Sequence, residues 1–309
     1  MVRKLVCAML MLLVAGAAPI EWMTDLNAAS RQAAAEGKLL LVEFTGSDWC
    51  KACLLQKKKV LNTRKFESWV EKHCVAVQID VPNDAARVGG ELQKRHNQVT
   101  CEEYGVSSFP RLRIMTPELV DAGGYNGALL SPEAAIARLE KAFPQTRRLQ
   151  LALSKTGAAR TTSLCELYLA IPEARRKFHF PLLRLLAESD PANTTGFRDI
   201  YADQSQIRQL ERSLYTSTNP GDRFTCARAA LDNARPANLP YFRNRLGQVM
   251  REYALHLANT ATTTQQVTQA RDLMLQSIDY AASEQEKSQL RQYTQTHFAN
   301  PAAFLQKSK

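Results

Sequence analysis

Cys50 and Cys53 are separated by two residues in the stretch Phe44-Thr45-Gly46-Ser47-Asp48-Trp49-Cys50-Lys51-Ala52-Cys53. A C-x-x-C pair of this kind serves either a metal or a dithiol–disulfide couple. The residues before it, Leu39 to Phe44, are a continuous apolar run of strand length, and those after it favour a helix starting near Cys50. A thiolate is the nucleophile in disulfide exchange, and a helix N-terminus stabilises an anion placed on it. Cys50 is therefore the expected attacking sulfur. Cys53, one turn further on, is the expected resolving sulfur, and Lys51 adds nearby positive charge.

Two more residues bear on this chemistry. Glu43 interrupts the apolar run, where a buried carboxylate is costly. Buried beneath the cysteines it could carry a raised pKa and relay a proton to or from Cys53; on a strand edge it would simply face solvent. Pro110 follows Phe109 ahead of a strand, and a cis bond there would bring the Phe109 backbone beside the thiols to pair with an extended peptide. The alternative chemistry, zinc held through Cys50 and Cys53, lacks its other ligands. His73-Cys74 is the only His–Cys pair nearby, and it falls at the start of a second strand. No metal and no cofactor are expected.

The elements that must position these residues can be read along the chain. Thr24 to Lys38 is an alanine-rich helix closed by Gly37. After the first strand, the helix from Cys50 is expected to turn Leu54, Leu55 and Leu61 inward, with Lys57-Lys58-Lys59 on a solvated face. Val75–Asp80 reads as a second strand and Glu91–Tyr104 as a polar helix. Leu112–Met115 and Leu119–Tyr125 read as strands joined at Thr116-Pro117. Ser131-Pro132-Glu133 opens a helix that should end at Phe143-Pro144. From Gln145 onward strand-like runs disappear. Leu164, Leu167, Tyr168 and Ile171 form one helical stripe, and Phe242, Leu246, Val249, Met250, Tyr253 and Leu257 another. Ser283 and Glu286 have capping-box spacing, ahead of a helix through Leu290, Tyr293 and Phe298. Asp190-Pro191, Asn219-Pro220-Gly221 and Leu239-Pro240 read as loops between helices. Several antiparallel helices, arranged as hairpins or otherwise, are expected there, with no clean repeat period.

Strand, Trp49-Cys50-Lys51-Ala52-Cys53, strand, a helix ending Tyr104-Gly105-Val106, then Phe109-Pro110 and a hairpin: this order resembles the thioredoxin superfamily. The segment Glu36 to Cys53 is especially similar to exported thioredoxin-like proteins and to the C-terminal domain of DsbD-type disulfide reductases. The resemblance covers about Trp22 to Phe143. It implies a thioredoxin fold, a central mixed sheet flanked by helices, placed over 18–145; the helical stripes beyond it read as an all-helical domain over 146–309, outside the resemblance. It also implies Cys50 as attacking cysteine, Cys53 as resolving cysteine and Pro110 as a cis-proline, with Trp49, Phe109 and Pro110 meeting substrate. Glu43 matches the buried acid position if Gly46-Ser47 counts as a one-residue extension of the loop. Lys51-Ala52 replaces the Gly-Pro of thioredoxin, so a redox potential is not carried over. Arg111 replaces the threonine common after the cis-proline, which alters the substrate groove.

The first residues give the compartment. Arg3 and Lys4 precede an apolar core from Leu5 to Val14 and an Ala15-Gly16-Ala17 cleavage site, the pattern of a secretory signal peptide over 1–17. An uncleaved anchor is the alternative. Cys7 lies in that apolar core and reads as one of its hydrophobes. Cleavage lowers the formal charge from +10 to +8 and sends the other cysteines to a periplasmic or otherwise exported compartment, where disulfides persist. Aromatics make up 7% and no basic tract interleaves with them, so nucleic acid is not an expected partner. Cys74 and Cys101 could be bridged or could be small buried hydrophobes, and the same choice holds for Cys165 and Cys226.

The expected activity is exported thiol–disulfide exchange on protein disulfides, reductase favoured, with an upstream membrane or soluble thiol partner recycling the pair. The alternative is a binding or scaffold protein whose helical half does the work.

Overall fold

The computed structural model describes residues 19–307; the leader read in residues 1–17 lies outside them. Two compact units emerge. One runs to Val88 and resumes over Thr100–Ser154; the other takes Gly89–Val99 and continues from Lys155.

The first unit is built on a four-stranded mixed sheet of order β2-β1-β3-β4. Strand β1 (Leu39–Thr45) is central; it runs parallel to β2 (Cys74–Asp80) and antiparallel to β3 (Arg111–Met115), which pairs antiparallel with β4 (Asp121–Asn126). Strand period sends alternate side chains to opposite faces. Leu40, Val42 and Phe44 pack with Val75, Val77 and Met115 under Ala29 and Ala33 of α1 (Leu26–Glu36) and Cys101 and Tyr104 at the end of α4 (Glu91–Glu103). Leu41, Ala76, Leu112 and Ile114 face the other way, under Phe66, Trp69 and Val70 of α3 (Arg64–His73) and Ala135 and Leu139 of α5 (Pro132–Glu140). Helix α1 is capped at both ends as its sequence dictates. The Asp25 carboxylate accepts from the Asn27 and Ala28 amides at 2.8 and 2.9 Å, and Gly37 takes the left-handed conformation at φ 64°. Gly124, at φ 153°, lies so close to β3 that a Cβ there would come within 2.1 Å of the Leu112 carbonyl oxygen.

The stretch after β1 departs from the sequence reading. Helix α2 (Lys51–Gln56) passes into a π-helical turn, Lys57–Leu61, and the chain breaks at Asn62-Thr63 before α3. Leu61 is buried as expected, but Leu54 and Leu55 are 48% and 42% exposed. Cys53, Gln56 and Val60 occupy the inner face instead. With Cys53 turned in, the residues one and two places further on lie roughly 100° and 200° around the helix and cannot face the sheet.

Proline positions were also misread. Pro144 does not end a helix: α5 stops at Glu140, and Pro144 sits in the first turn of α6 (Phe143–Ser154), where its missing amide costs nothing.

The second unit is helical throughout its described residues. Besides Gly89–Val99, which carries most of α4, it comprises α7 (Gly157–Leu169), α8 (Glu173–Arg176), α9 (Phe180–Ser189), α10 (Phe197–Thr216), α11 (Pro220–Asp232), α12 (Leu239–Thr260), α13 (Thr264–Ser277), α14 (Glu284–Phe298) and α15 (Pro301–Lys307). Successive helices pack on one another, α11 on α12 and α12 on α13. Phe242, Leu246, Val249 and Met250 of the long α12 meet Leu210 and Leu214 of α10. Further along, the α12 stripe continues through Ala254 and Ala258 against Val267, Ala270, Met274 and Phe298, while Tyr253 and Leu257 are only partly covered. Pro220 and Pro240, read as loop residues, are first-turn prolines of α11 and α12. Ser283 accepts from the Glu286 amide at 3.1 Å, but the Glu286 carboxylate returns to Ala282 rather than to Ser283. The reciprocal capping box lies at Thr263 and Gln266. Among the described residues no helix is long and apolar enough to cross a membrane.

Candidate active site

Cys50 ends the extended chain after β1 and N-caps α2, its φ and ψ at −82° and 94°. It is disulfide-bonded to Cys53, with Cα atoms 5.2 Å apart. The Cys53 amide donates to Cys50 Sγ at 3.1 Å. Cys53 is 2% exposed and Cys50 6%, so what access the pair has runs through Cys50.

The loop ahead of the pair is tied down by polar contacts to the loop after β2. Asp48 accepts from the Asn83 and Asp84 amides at 2.8 and 2.9 Å, and these bonds hold its carboxyl below the usual range. Asp80 accepts from the Ser47 amide at 2.9 Å. The Trp49 indole donates to the Val81 carbonyl at 2.8 Å while its ring covers Gly46, where a Cβ would come within 2.3 Å of the indole. Trp49 stays 45% exposed and stands edge-on to Phe109, ring centres 5.7 Å apart. The Phe109–Pro110 bond is cis, and the Pro110 carbonyl accepts from Gly127. Arg111, next along, does not enter a groove: it is 8% exposed and donates to the Gly105 carbonyl at 2.6 Å.

Glu43 is 1% exposed, which removes the solvent-edge reading. It shares the face of Leu41, on the side covered by α2, α3 and α5. Burial raises its carboxyl to about 7, against the opposing pull of a hydrogen bond from Gln78 Nε2 at 2.8 Å and the charge of Lys57. On the same face, Gln56 Oε1 accepts from the Leu129 amide at 3.0 Å and the Tyr125 hydroxyl at 3.3 Å. A strip of buried polar groups thus lies beneath the helix that carries the cysteines.

A family profile described as thioredoxin-like matches residues 21–117. That match spans the strand, the cysteine pair and the Phe109–Pro110 bond. Residues 21–117 form a thioredoxin-like domain. Over 102 residues the chain is 28% identical to a protein of Chlamydia pneumoniae named disulfide bond reductase DsbH, covering 33% of this chain. It spans about 60% of the length of that curated relative. A solved structure described as a DsbH oxidoreductase shares 24% identity at a TM-score of 0.38, over 42% of this chain and 88% of that one.

The other cysteines among the described residues lie outside this site. Cys74 and Cys101 pack on opposite faces of the thioredoxin-like domain's sheet, so they are not bridged, and burial pushes each thiol up to about 12. Cys74 also pairs with Leu39, at the end of β1 remote from Cys50. Seven strand positions span roughly 20 Å, which removes the zinc reading, and His73 instead packs against the Trp69 and Phe143 rings. In the helical unit, Cys165 and Cys226 are half-buried, unbridged, and line separate cavities. Burial raises the Cys165 thiol as well. Sequence reasoning missed Gly46, Asp48, Gln56 and Gln78. Only Asp48 carried a signal, an acidic loop residue of the kind that caps free amides.

Proposed function

We propose that the chain is an exported thiol–disulfide oxidoreductase that reduces protein disulfides. The observation that carries this reading is the position of Cys50: it N-caps α2, with the Cys53 amide on its sulfur. That N–H and the helix end would hold a Cys50 thiolate after reduction. The thiolate attacks one sulfur of a client disulfide, forming a mixed disulfide and expelling one client thiolate. Cys53 then gives up its proton and attacks Cys50 Sγ, closing the Cys50–Cys53 bond and releasing the second client thiolate. The client gains two electrons and the pair loses two, so a thiol reductant must reopen the pair. Glu43, with a carboxyl near 7, is the acceptor for the Cys53 proton, poised where a general base is most effective.

Exposed Trp49, Leu54 and Leu55 border the pair, and each buried leucine would have been worth about 1.5–3 kcal/mol. Left in solvent, they suit an extended peptide lying along Phe109 and the cis Pro110 bond. The name of the Chlamydia relative, a disulfide bond reductase, favours the reducing direction, and the leader sequence favours export. The helical unit serves client or partner binding. Cys50→Ser should abolish dithiol-dependent insulin reduction, whereas Cys165→Ser and Cys226→Ser should leave it intact; undiminished turnover by Cys50→Ser would overturn the reading.

A further inference from the structure

Glu43 is held from one direction. Its hydrogen bond comes from Gln78, the residue directly beside it in the parallel register of β1 and β2. Both side chains leave their strands on the face covered by α2. We infer that Gln78 is a positioning residue that sets the proton affinity of Glu43, and through it the pH range in which Cys53 can be deprotonated. This rests on the role given to Glu43 under the proposed function.

The choice of an amide has a chemical consequence. When Glu43 is ionised, Gln78 Nε2 donates to it, as in the structure. When Glu43 is protonated, rotating the amide presents Oε1 as an acceptor for the new O–H. One neutral partner thus keeps the acid in place through both halves of a proton transfer. A cation at position 78 could serve only the ionised half, and an apolar residue neither. The other charged groups around Glu43 are few. Lys57, from the π-helical turn, favours the carboxylate; Asp80, further along β2, opposes it. Burial, and after it the Glu43 charge, raises the Tyr125 phenol on β4. On β3 the residue opposite Glu43 is Leu112. The β3 arginines point to the other face, Arg111 to the Gly105 carbonyl and Arg113 to the Asp121 carboxylate. Gln78 is the uncharged contact among them, so Gln78→Met changes the hydrogen bond without altering local charge.

The test compares Gln78→Met, which keeps the side-chain length without a donor, with Gln78→Lys, which supplies a charged donor. Glu43 is titrated in each full-length protein by carbon NMR of its carboxyl. Alongside, the pH dependence of thiol–disulfide exchange is measured with a small disulfide. The midpoint should move up by about one pH unit in Gln78→Met, tenfold in proton affinity, and down in Gln78→Lys. The exchange profile should follow both shifts. A structural lesion would move both variants the same way. Glu43 midpoints that stay together in all three proteins overturn the inference. If Glu43→Gln removes the pH-dependent limb while the Gln78 variants leave it in place, this inference alone fails. If Glu43→Gln also leaves the limb in place, the role of Glu43 as proton acceptor fails with it.

Discussion

Glu43 in the first unit and Asp190 in the second are both nearly sealed from solvent, and they titrate in opposite directions. Glu43 is 1% exposed and its carboxyl is raised to about 7; Asp190, at the C-terminus of α9, is 4% exposed and lowered to about 2. Depth separates them first: burial raises Glu43, whereas the hydrogen bonds on Asp190 outweigh its desolvation. Asp190 accepts from the amide and hydroxyl of both Thr194 and Thr195, at 2.7 to 3.0 Å, and so folds the loop after α9 around its own charge. Glu43 has one hydrogen-bond donor, Gln78, and a setting deep enough for burial to dominate. Four donors make a buried acid a structural anchor, locked ionised. One donor in a deeply buried setting leaves the acid able to exchange its proton near neutral pH.

Removing each charge is the most forceful way to break this contrast. Between about pH 4.5 and 7 the folded protein holds a proton on Glu43 that the unfolded chain has lost, so stability falls as pH rises through that window. The effect is then constant above it. With a rise of this size the lost stability is on the order of 3 kcal/mol at pH 8. Glu43→Gln should recover most of it at pH 8 and gain little at pH 4, measured by urea unfolding at both values. Asp190 has the reverse sign. Its contribution is present above the usual aspartate range and disappears as pH falls toward about 2. Asp190→Asn should lower the melting temperature at pH 7 and much less at pH 2. If both substitutions destabilise equally at neutral pH, the balance of burial and hydrogen bonding does not distinguish the two sites.

A smaller change sharpens the comparison. Thr195→Val deletes one hydroxyl donor to Asp190 and leaves its other three. The midpoint of acid unfolding should move up slightly, well short of what Asp190→Asn produces. A shift as large as that of Asp190→Asn would mean that a single bond, and not the group of four, carries the anchor.

Much of this architecture was legible in the chain, and the failures share a cause. The apolar runs of β1 and β2, the Gly37 terminus of α1 and the Phe242–Met250 stripe follow from local periodicity and backbone preference, so sequence exposes them. Leu54 and Leu55 misled because hydrophobicity alone does not set a helix's rotation; Cys53, Gln56 and Val60 take the inner face instead. Pro144, Pro220 and Pro240 were read as breaks because a proline stops one helix and starts the next with the same chemistry. Glu43 was suspected from its setting in an apolar run, yet its partner Gln78 lies 35 positions away, visible only once β1 and β2 are in register.

The smallest effect concerns the loop that presents Cys50, where the first unit uses the anchoring device of the second. Asp48, with two amides on its carboxylate, is held ionised like Asp190, although it lies next to Trp49 and Cys50. Here too the hydrogen bonds on the carboxylate outweigh its desolvation. That loop also depends on Gly46 leaving room for the Trp49 ring. In Gly46→Ala the new Cβ would overlap the indole, and because the obstacle is a movable side chain, the ring should shift rather than the backbone. The expected stability loss is at most about 1 kcal/mol. Displacing the indole also breaks its bond to the Val81 carbonyl, so Trp49 emission should shift to longer wavelength against a Trp49→Phe blank. Because the Asp48 contacts remain, the Cys50–Cys53 pair should still close. Emission identical to the unsubstituted protein would mean that the ring does not depend on Gly46, and that the carboxylate alone holds the loop.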